Sequence, residues 1–201
     1  MLTFDQASHT YRWHGQPVPN VTRIIAPLVT YIATVPPDRL EAARQEGEHI
    51  HEMVALDCRG KLESVPQWMA GHREAWELFK EETGFECWAT EERLYHPLGY
   101  AGTPDLVGTM PKARNGYPAV IDLKRTLYAG PAIGLQTASY SELWNRKHGK
   151  GMKVSGRYGL QLRPNGTYRL QPYEDADDWP AFLAMLTTYR WREKWAHLKA
   201  A

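Results

Sequence analysis

The chain has 201 residues, of which 43% are hydrophobic, and it is large enough to bury one sizeable core, so we predict a single domain over residues 1–201. Because the formal net charge is only +1 at pH 7, overall basicity gives no argument for a nucleic-acid partner, and local charge must supply one. No apolar run approaches the ~20 residues of a membrane span, and Cys58 and Cys87 form no Cys-x-x-Cys pair. We therefore expect a soluble, cytoplasmic protein without a membrane partner.

Residues 1–35 predict a small β-hairpin and a lead-in to the rest of the chain. Leu2–Phe4 and Tyr11–Trp13 alternate apolar and polar residues, and Val21–Ile25 is typical of a short helix. Apolar residues at helical spacing then predict a long helix from about Arg39 to Cys58 and a second helix between Pro66 and Gly84. Two longer helices therefore precede the predicted sheet.

The middle of the chain predicts three strands followed by a helix. The strands cover Phe85 to Tyr95, Tyr100 to Thr109 and Ala119 to Lys124, with turn residues between them. The helix runs from Pro131 to about Lys147. This order places most of the sheet between helical segments.

The last part of the chain predicts a hairpin and a final helix. Met152 to Leu162 and Thr167 to Tyr173 flank Pro164-Asn165-Gly166, which is a strong hairpin signal. The helix runs from about Asp175 to Leu198. It carries two tryptophans that we assign to the core, Trp191 and Trp195. With residues 36–173 as the core and 174–201 as a C-terminal helix, the element order predicts an α/β domain whose mixed β-sheet is flanked by helices.

Two carboxylates interrupt the apolar strands between Gly102 and Thr126. Asp105 and Asp122 stand where apolar residues would otherwise continue. Two aspartates side by side repel each other unless a cation lies between them, so the pair predicts a site for Mg²⁺ or Mn²⁺. Lys124 follows Asp122 by two residues, which places both side chains on one strand face. Taken singly, Asp105 could cap a turn, and the other two residues could form an exposed salt bridge.

Pro104-Asp105 followed by Asp122-Leu123-Lys124 matches the signature of the PD-(D/E)xK nuclease superfamily, which the chain therefore resembles. Two flanking motifs resemble the RecB-like and lambda-type phage exonuclease branch, namely Gly47-x-x-x-His51 and Gln136-x-x-x-Tyr140. Glu91 resembles a further acidic position of the family, although Glu92 is an alternative on the opposite side of the strand. The resemblance covers nearly the whole chain and implies a single-domain restriction-endonuclease-like fold.

The resemblance also implies roles in phosphodiester hydrolysis, with Mg²⁺ as the cofactor and Mn²⁺ as a substitute. The expected metal ligands are Asp105, Asp122, His51 and the main-chain carbonyl of Leu123. Lys124 would hold or deprotonate the attacking water or stabilise the developing charge, and Glu91 completes the catalytic set. His49 is an alternative to His51, although the spacing from Gly47 favours His51. Gln136 and Tyr140 lie four residues apart on one helix face, where they would contact the bound strand or simply belong to the helix surface and core.

A basic stretch supports a nucleic-acid substrate. From Leu143 to Tyr173 the chain has no Asp or Glu, but it has seven basic residues: Arg146, Lys147, Lys150, Lys153, Arg157, Arg163 and Arg169. Such a run can be an ordinary solvated face. Its position directly after the helix of Gln136 and Tyr140 favours a track for DNA phosphates, in which we place Lys150, Lys153 and Arg157, with Arg125 beside them.

These features predict a metal-dependent DNA nuclease without sequence specificity, since no added recognition helix or zinc module is evident. We expect an exonuclease of phage-type DNA recombination or processing; the alternatives are a structure-selective or nonspecific endonuclease and a catalytically silent DNA-binding module. The resemblance implies DNA ends or single strands as substrate, a recombination or single-strand-annealing protein as partner, a homo-oligomer such as a ring-shaped trimer, and the host cytoplasm for a phage-encoded protein. With two cysteines the chain cannot ligate the four-cysteine iron–sulfur cluster of some relatives.

Overall fold

The computed structural model describes residues 1–6, 8–29, 37–113, 116–125 and 132–196. Its N-terminal part is a three-stranded antiparallel sheet, called here the N-terminal sheet, of β1 (Leu2–Asp5), β2 (Thr10–Trp13) and β3 (Gln16–Val18). The predicted hairpin is therefore confirmed. The turn at Gly15, which has a positive φ of 81°, adds the third strand.

Three helices precede the main sheet: α1 (Val21–Ile25), α2 (Pro37–Cys58) and α3 (Ala70–Thr83). The first begins at Asn20, whose side-chain oxygen accepts a hydrogen bond from the backbone amide of Arg23 at 2.7 Å. The third ends where Gly84 adopts a left-handed conformation with a φ of 65°. The helices that the apolar spacing predicts are thus present.

The strand predicted from Phe85 to Tyr95 is wrong as a single element, because the structure forms β4 (Glu86–Thr90) and β5 (Leu94–His96) there, in different sheets. The strand predicted from Tyr100 to Thr109 is wrong as a single element too. The structure divides it into β6 (Tyr100–Gly102), which pairs with β5 (Leu94–His96) in a separate two-stranded sheet, and β7 (Leu106–Thr109), which joins the main sheet. The break falls at Thr103-Pro104-Asp105. Proline has no amide hydrogen to donate to a neighbouring strand, so the ladder ends there and Asp105 is set at the beginning of β7.

The main sheet has five strands in the order β10-β9-β8-β7-β4. They are β4 (Glu86–Thr90), β7, β8 (Ala119–Leu123), β9 (Gly156–Leu162) and β10 (Tyr168–Pro172). Strands β8 and β9 are parallel, and the other neighbours are antiparallel, so the predicted mixed sheet is confirmed. The hairpin of β9 and β10 is confirmed too, although β9 begins four residues later than Met152.

Helix α4 (Ala132–His148) connects the parallel strands β8 and β9, and α5 (Asp178–Trp195) closes the described part of the chain. A parallel pair requires such a crossover, which is why a helix stands here rather than a tight turn. Several predicted element boundaries lie outside the described residues, namely Thr126, Pro131, Leu198 and the junction over residues 30–36. The described helices include none that is both long and apolar enough to cross a lipid bilayer.

Apolar side chains cover both faces of the main sheet. On one face, α2 and α3 pack against residues such as Ile121 and Leu123 of β8. On the other face, α1, α4 and α5 pack against Val120 of the same strand. Because side chains alternate along a strand, Asp122 points toward the α4 face. A carboxylate is thereby enclosed at the end of the central strand.

The assignment of Trp191 and Trp195 to the core is wrong, because they are 65% and 42% exposed. Helix α5 buries Phe182 and Leu186, which lie on one side of it. At 100° per residue, Trp191 stands about 180° around the helix from Phe182, and Trp195 stands close to Trp191. The two tryptophans therefore lie on the outward side of the last turns of α5.

Candidate active site

The predicted carboxylates meet where β7 begins and β8 ends. The backbone amide of Leu123 donates a hydrogen bond to Oδ2 of Asp105 at 2.8 Å, which ties the side chain of one strand to the backbone of the next. The ladder between β7 and β8 begins at Leu106, after Pro104, so Leu123 has no paired residue on β7. Its amide is therefore available to the side chain of Asp105. Asp105 is thereby held against the strand that carries Asp122.

Asp122 and Lys124 form an ion pair, with 2.6 Å between Oδ2 and Nζ. Asp122 is only 1% exposed. Burial raises the pKa of Asp122 to about 6, because desolvation disfavours the carboxylate and Asp105 repels it, while Lys124 opposes both effects. The two-residue spacing thus brings the acid and the amine together as the sequence predicts.

His51 reaches this strand end from α2. Its Nδ1 lies 3.4 Å from Oδ1 of Asp105, and its Nε2 lies 3.2 Å from the carbonyl oxygen of Leu123. Burial lowers the pKa of His51, but the Asp105 carboxylate outweighs burial and raises the pKa to about 9. Burial in turn raises the pKa of Asp105, and His51 and Lys124 together bring it below its usual value.

His49 lies outside the cluster, so the structure distinguishes the two histidines. Its Nδ1 is 2.7 Å from the carbonyl oxygen of Gln45, one turn earlier on the same helix, and its ring packs edge-on against Trp68 with 5.5 Å between centroids. The spacing from Gly47 therefore selects the histidine that faces the carboxylates.

The donor atoms of the cluster suit a hard divalent cation. Neither carboxylate oxygen of the buried Asp122 accepts a hydrogen bond from the described residues, apart from the close approach of Lys124 to Oδ2. Mg²⁺ and Mn²⁺ prefer surroundings rich in oxygen atoms. Asp122 supplies a buried carboxylate with unused lone pairs, and Asp105 and the carbonyl of Leu123 lie beside it. Over the described ranges, however, no three or more His, Cys, Asp and Glu side chains form a ready-made metal cluster. The cation would have to compete with protonated His51 for Asp105 and with the ammonium of Lys124 for Asp122.

Glu91 lies on the same side as this cluster, and Glu92 does not. The backbone of Glu91 has a positive φ of 53°, and its amide donates to the carbonyl of Asp105 at 3.1 Å. Its carboxylate pairs with Arg59 at 3.0 Å. Glu92 instead contacts Lys147 and His148 on α4, at 2.5 and 2.9 Å. The preference for Glu91 is therefore consistent with its position, and its carboxylate is already paired in this structure.

A cleft leads from the cluster to the surface and is called here the site cleft. It has a volume of about 970 Å³ and lies between the N-terminal sheet and α2. Its lining includes His51, Asp105 and the more exposed Glu91. Tyr11 and Thr103, two residues of the cleft lining that the sequence did not single out, form a hydrogen bond of 2.5 Å between their hydroxyls. It joins the N-terminal sheet to the Asp105 segment, and no local pattern could have paired residues so far apart in sequence.

Gln136 and Tyr140 share one face of α4, but that face is enclosed. Their exposed fractions are 7% and 5%, and the amide nitrogen of Gln136 donates to the Tyr140 hydroxyl at 3.2 Å. Burial, with Asp122 and Asp105 nearby, raises the pKa of Tyr140 well above its ordinary value. The structure thus places this pair behind the carboxylates and does not bring it to an open surface.

The basic stretch is divided between internal and exposed side chains. Arg157 donates to the carbonyl of Gly134 at 3.1 Å and to Oδ2 of Asp178 at 2.8 Å, so its placement in a phosphate track is wrong. A guanidinium satisfied in this way fastens β9 to α4 and α5 instead. Lys150 and Lys153 are exposed. Arg125 is 51% exposed, with its Nη1 3.5 Å from Glu46.

Replacing His51 by alanine is expected to weaken Mn²⁺ binding by about tenfold or more, whereas His49→Ala leaves it unchanged, because only His51 faces the carboxylates. A protonated histidine cannot ligate a metal, so the Mn²⁺ affinity of the parent protein should rise between about pH 6 and about pH 9, the pKa values of Asp122 and His51. His51→Ala should flatten that rise. Calorimetric titration across this range measures both effects, and a loss of affinity in His49→Ala alone would reverse the assignment.

Comparison with known proteins leaves the family of the chain open. No family model matches the sequence, and no curated protein matches it. Among solved structures, the chain is similar to an alkaline exonuclease from Laribacter hongkongensis at 16% sequence identity, over 77% of this chain and 86% of that chain. The TM-score of that superposition is 0.30, which is too low to establish a common fold, so the functional argument rests on the residues of this chain.

Proposed function

We propose that this chain is a metal-dependent DNA nuclease of the PD-(D/E)xK superfamily with a restriction-endonuclease-like fold. The observation that carries the proposal is the buried Asp122 beside the half-buried Asp105 at one end of the main sheet, with Lys124 2.6 Å from Asp122. A buried carboxylate that forms no other hydrogen bond with described residues is costly to the fold, and such a cost is typical of functional sites. The order of Pro104-Asp105 and Asp122-x-Lys124 along the chain agrees with this site.

In the proposed reaction, Asp105, Asp122, the carbonyl of Leu123 and His51 would hold Mg²⁺, or Mn²⁺ in its place. When bound, that ion supplies Lewis-acid stabilisation of the phosphate charge and favours a hydroxide nucleophile. Lys124, whose side chain is 26% exposed, can reach both the Asp122 carboxylate and solvent. Its ammonium would orient the attacking water and stabilise the negative charge that develops on the phosphate. Glu91, which lines the site cleft, would accept a proton only after its ion pair with Arg59 is broken.

The substrate is proposed to be DNA with free ends or single strands. This preference rests on the resemblance of Gly47-x-x-x-His51 and Gln136-x-x-x-Tyr140 to end-processing nucleases. Activity in phage-type recombination, with an annealing protein or a second copy of the chain as partner, belongs to the same proposal. A structure-selective or nonspecific endonuclease uses the same chemistry and differs in the substrate it accepts.

The purified protein is expected to release nucleotides from linear DNA in Mg²⁺ and to leave covalently closed circular duplex intact. Gel and acid-soluble assays at matched enzyme concentration measure both, with EDTA and the Asp122→Asn variant as controls for contaminating nucleases. Efficient nicking of closed circles by the parent protein alone would favour the endonuclease. Failure to cleave any DNA in Mg²⁺ or Mn²⁺ would contradict the proposed function.

A further inference from the structure

A second cavity borders the N-terminal sheet on the side of α5 and is called here the α5 groove. It has a volume of about 720 Å³. Tyr189, Arg190 and Lys194 of α5 form one wall, and residues 17–20 with His9 form the other. Arg23 of α1 lies at its base, with its guanidinium 5.7 Å from the centre of the Tyr189 ring. The groove therefore separates the last turns of α5 from the N-terminal sheet.

The charge of this groove is strongly positive. Arg190 and Lys194 line it together with Arg23, and Arg192 lines the adjoining cavity beside α1. Glu193 is the one acidic residue among the described residues that line the two cavities. None of the four basic side chains makes an ion pair with a described carboxylate. Their charges are therefore available to an anionic ligand.

Two exposed aromatic side chains stand beside these charges. Trp191 and Trp195 lie on the outward side of the same turns of α5, and Nζ of Lys194 is 5.2 Å from the Trp195 ring. Exposed tryptophans interleaved with arginine and lysine are typical of surfaces that bind a nucleic-acid strand, because the cations contact phosphates and the rings stack on unpaired bases. An ordinary solvated helix has little reason to expose indole rings to water.

The α5 groove adjoins the site cleft. His9 lines both cavities, and His51 and Asp105 line the site cleft. A DNA strand whose scissile phosphate lies at the carboxylates could therefore continue past His9 from the site cleft into the α5 groove. Part of the charge of the basic stretch of residues 143–173 is already paired with carboxylates, since Arg157 contacts Asp178 and Lys147 contacts Glu92.

We propose that the α5 groove binds the sugar–phosphate backbone of the DNA strand whose cleavage the site cleft performs. Arg23, Arg190 and Lys194, which line the groove, contact phosphates of the strand, and Trp195, beside Lys194, stacks on an unpaired base at the rim. The inference rests on the proposed function for the identity of the ligand. It assigns the main phosphate contacts to α5 and α1 instead of the stretch after Trp144.

The test measures binding of a fluorescein-labelled single-stranded oligonucleotide by anisotropy in EDTA, over a range of salt concentrations, so that cleavage plays no part. The variant Arg190→Ala/Lys194→Ala should reduce the slope of log K against log salt by about 1.4, at about 0.7 per lost contact. The competing surface is tested by the equal charge change Lys150→Ala/Lys153→Ala. Arg190→Lys keeps the charge and should keep the slope, which shows that the effect of the alanine variant comes from lost charge.

A flattened slope in the α5 variant, with a smaller change in the competing variant, supports the groove. An unchanged slope in a folded α5 variant overturns it, and so does a larger effect of the competing variant. A parent protein that binds no DNA overturns the groove together with the proposed function. If instead the α5 variant loses binding as expected but the parent protein fails to cleave in Mg²⁺ or Mn²⁺, DNA binding in the groove is supported and the proposed nuclease function is contradicted.

Discussion

Replacing Asp122 by asparagine is expected to lower DNA hydrolysis by about a thousandfold or more. The change removes a negative charge that would contribute several kcal/mol to cation binding in the proposed site. The same change should make the metal-free protein more stable at neutral pH. Burial raises the pKa of Asp122 from 3.8 to about 6, so keeping this carboxylate ionised at pH 7 costs about 3 kcal/mol of folding free energy. Asparagine has nearly the same volume and carries no charge.

The sign of the pH dependence follows from that raised pKa. In the metal-free parent protein, the Asp122 contribution to stability falls as pH rises from 3.8 to about 6, because the unfolded chain loses this proton first. Thermal melting in EDTA should therefore find Asp122→Asn closest to the parent protein in acid and more stable at neutral pH. Saturating Mn²⁺ should narrow the difference by stabilising only the parent. Full cleavage by Asp122→Asn would contradict the site.

Replacing Lys124 by alanine is expected to lower turnover by about a hundredfold or more and to leave Mn²⁺ affinity equal or higher. Lys124 is not a ligand in the proposed site, and its ammonium competes with the metal for Asp122 at 2.6 Å. Single-turnover cleavage and calorimetric Mn²⁺ titration measure the two effects separately.

Lys124→Arg keeps a positive charge near Asp122 but changes the position of the donor, so it serves as the control for charge alone. If it restores turnover, the charge of Lys124 is sufficient; if it does not, the position of the ammonium is required. A loss of Mn²⁺ affinity in Lys124→Ala would place Lys124 among the groups that hold the metal ligands, contrary to the proposed role.

The part of the site that depends on local periodicity could be predicted from the sequence. Strand spacing places Asp122 and Lys124 on one face, and the structure brings them into contact. The mixed sheet and its helices follow from the order of apolar segments and turns. Pro104 is the sequence signal for the break before β7, because it cannot donate a backbone hydrogen bond, and this outweighs the apolar run around it.

The remaining features depend on partners distant in the sequence. Nothing near Arg157 indicates that Asp178 would bind its guanidinium, and nothing near Glu91 indicates Arg59. A count of basic residues treats all cations as equally available, whereas tertiary pairing decides which of them can reach a phosphate. For Trp191, the helical phase relative to Phe182 was readable, and hydrophobicity alone led to the wrong assignment.

The central position of β8 has a consequence for motion at the site. Its residues are buried from Ala119 to Leu123, and it is bonded on both sides, by β7 and β9. Such strands open last in local unfolding, so Asp122 moves with the most protected part of the molecule. His51 belongs to α2, which packs on the sheet by side chains and shares no ladder with it. We therefore expect the distance between His51 and the carboxylates to change mainly by movement of α2 against β8, so that the histidine would adjust to the size of a bound ion.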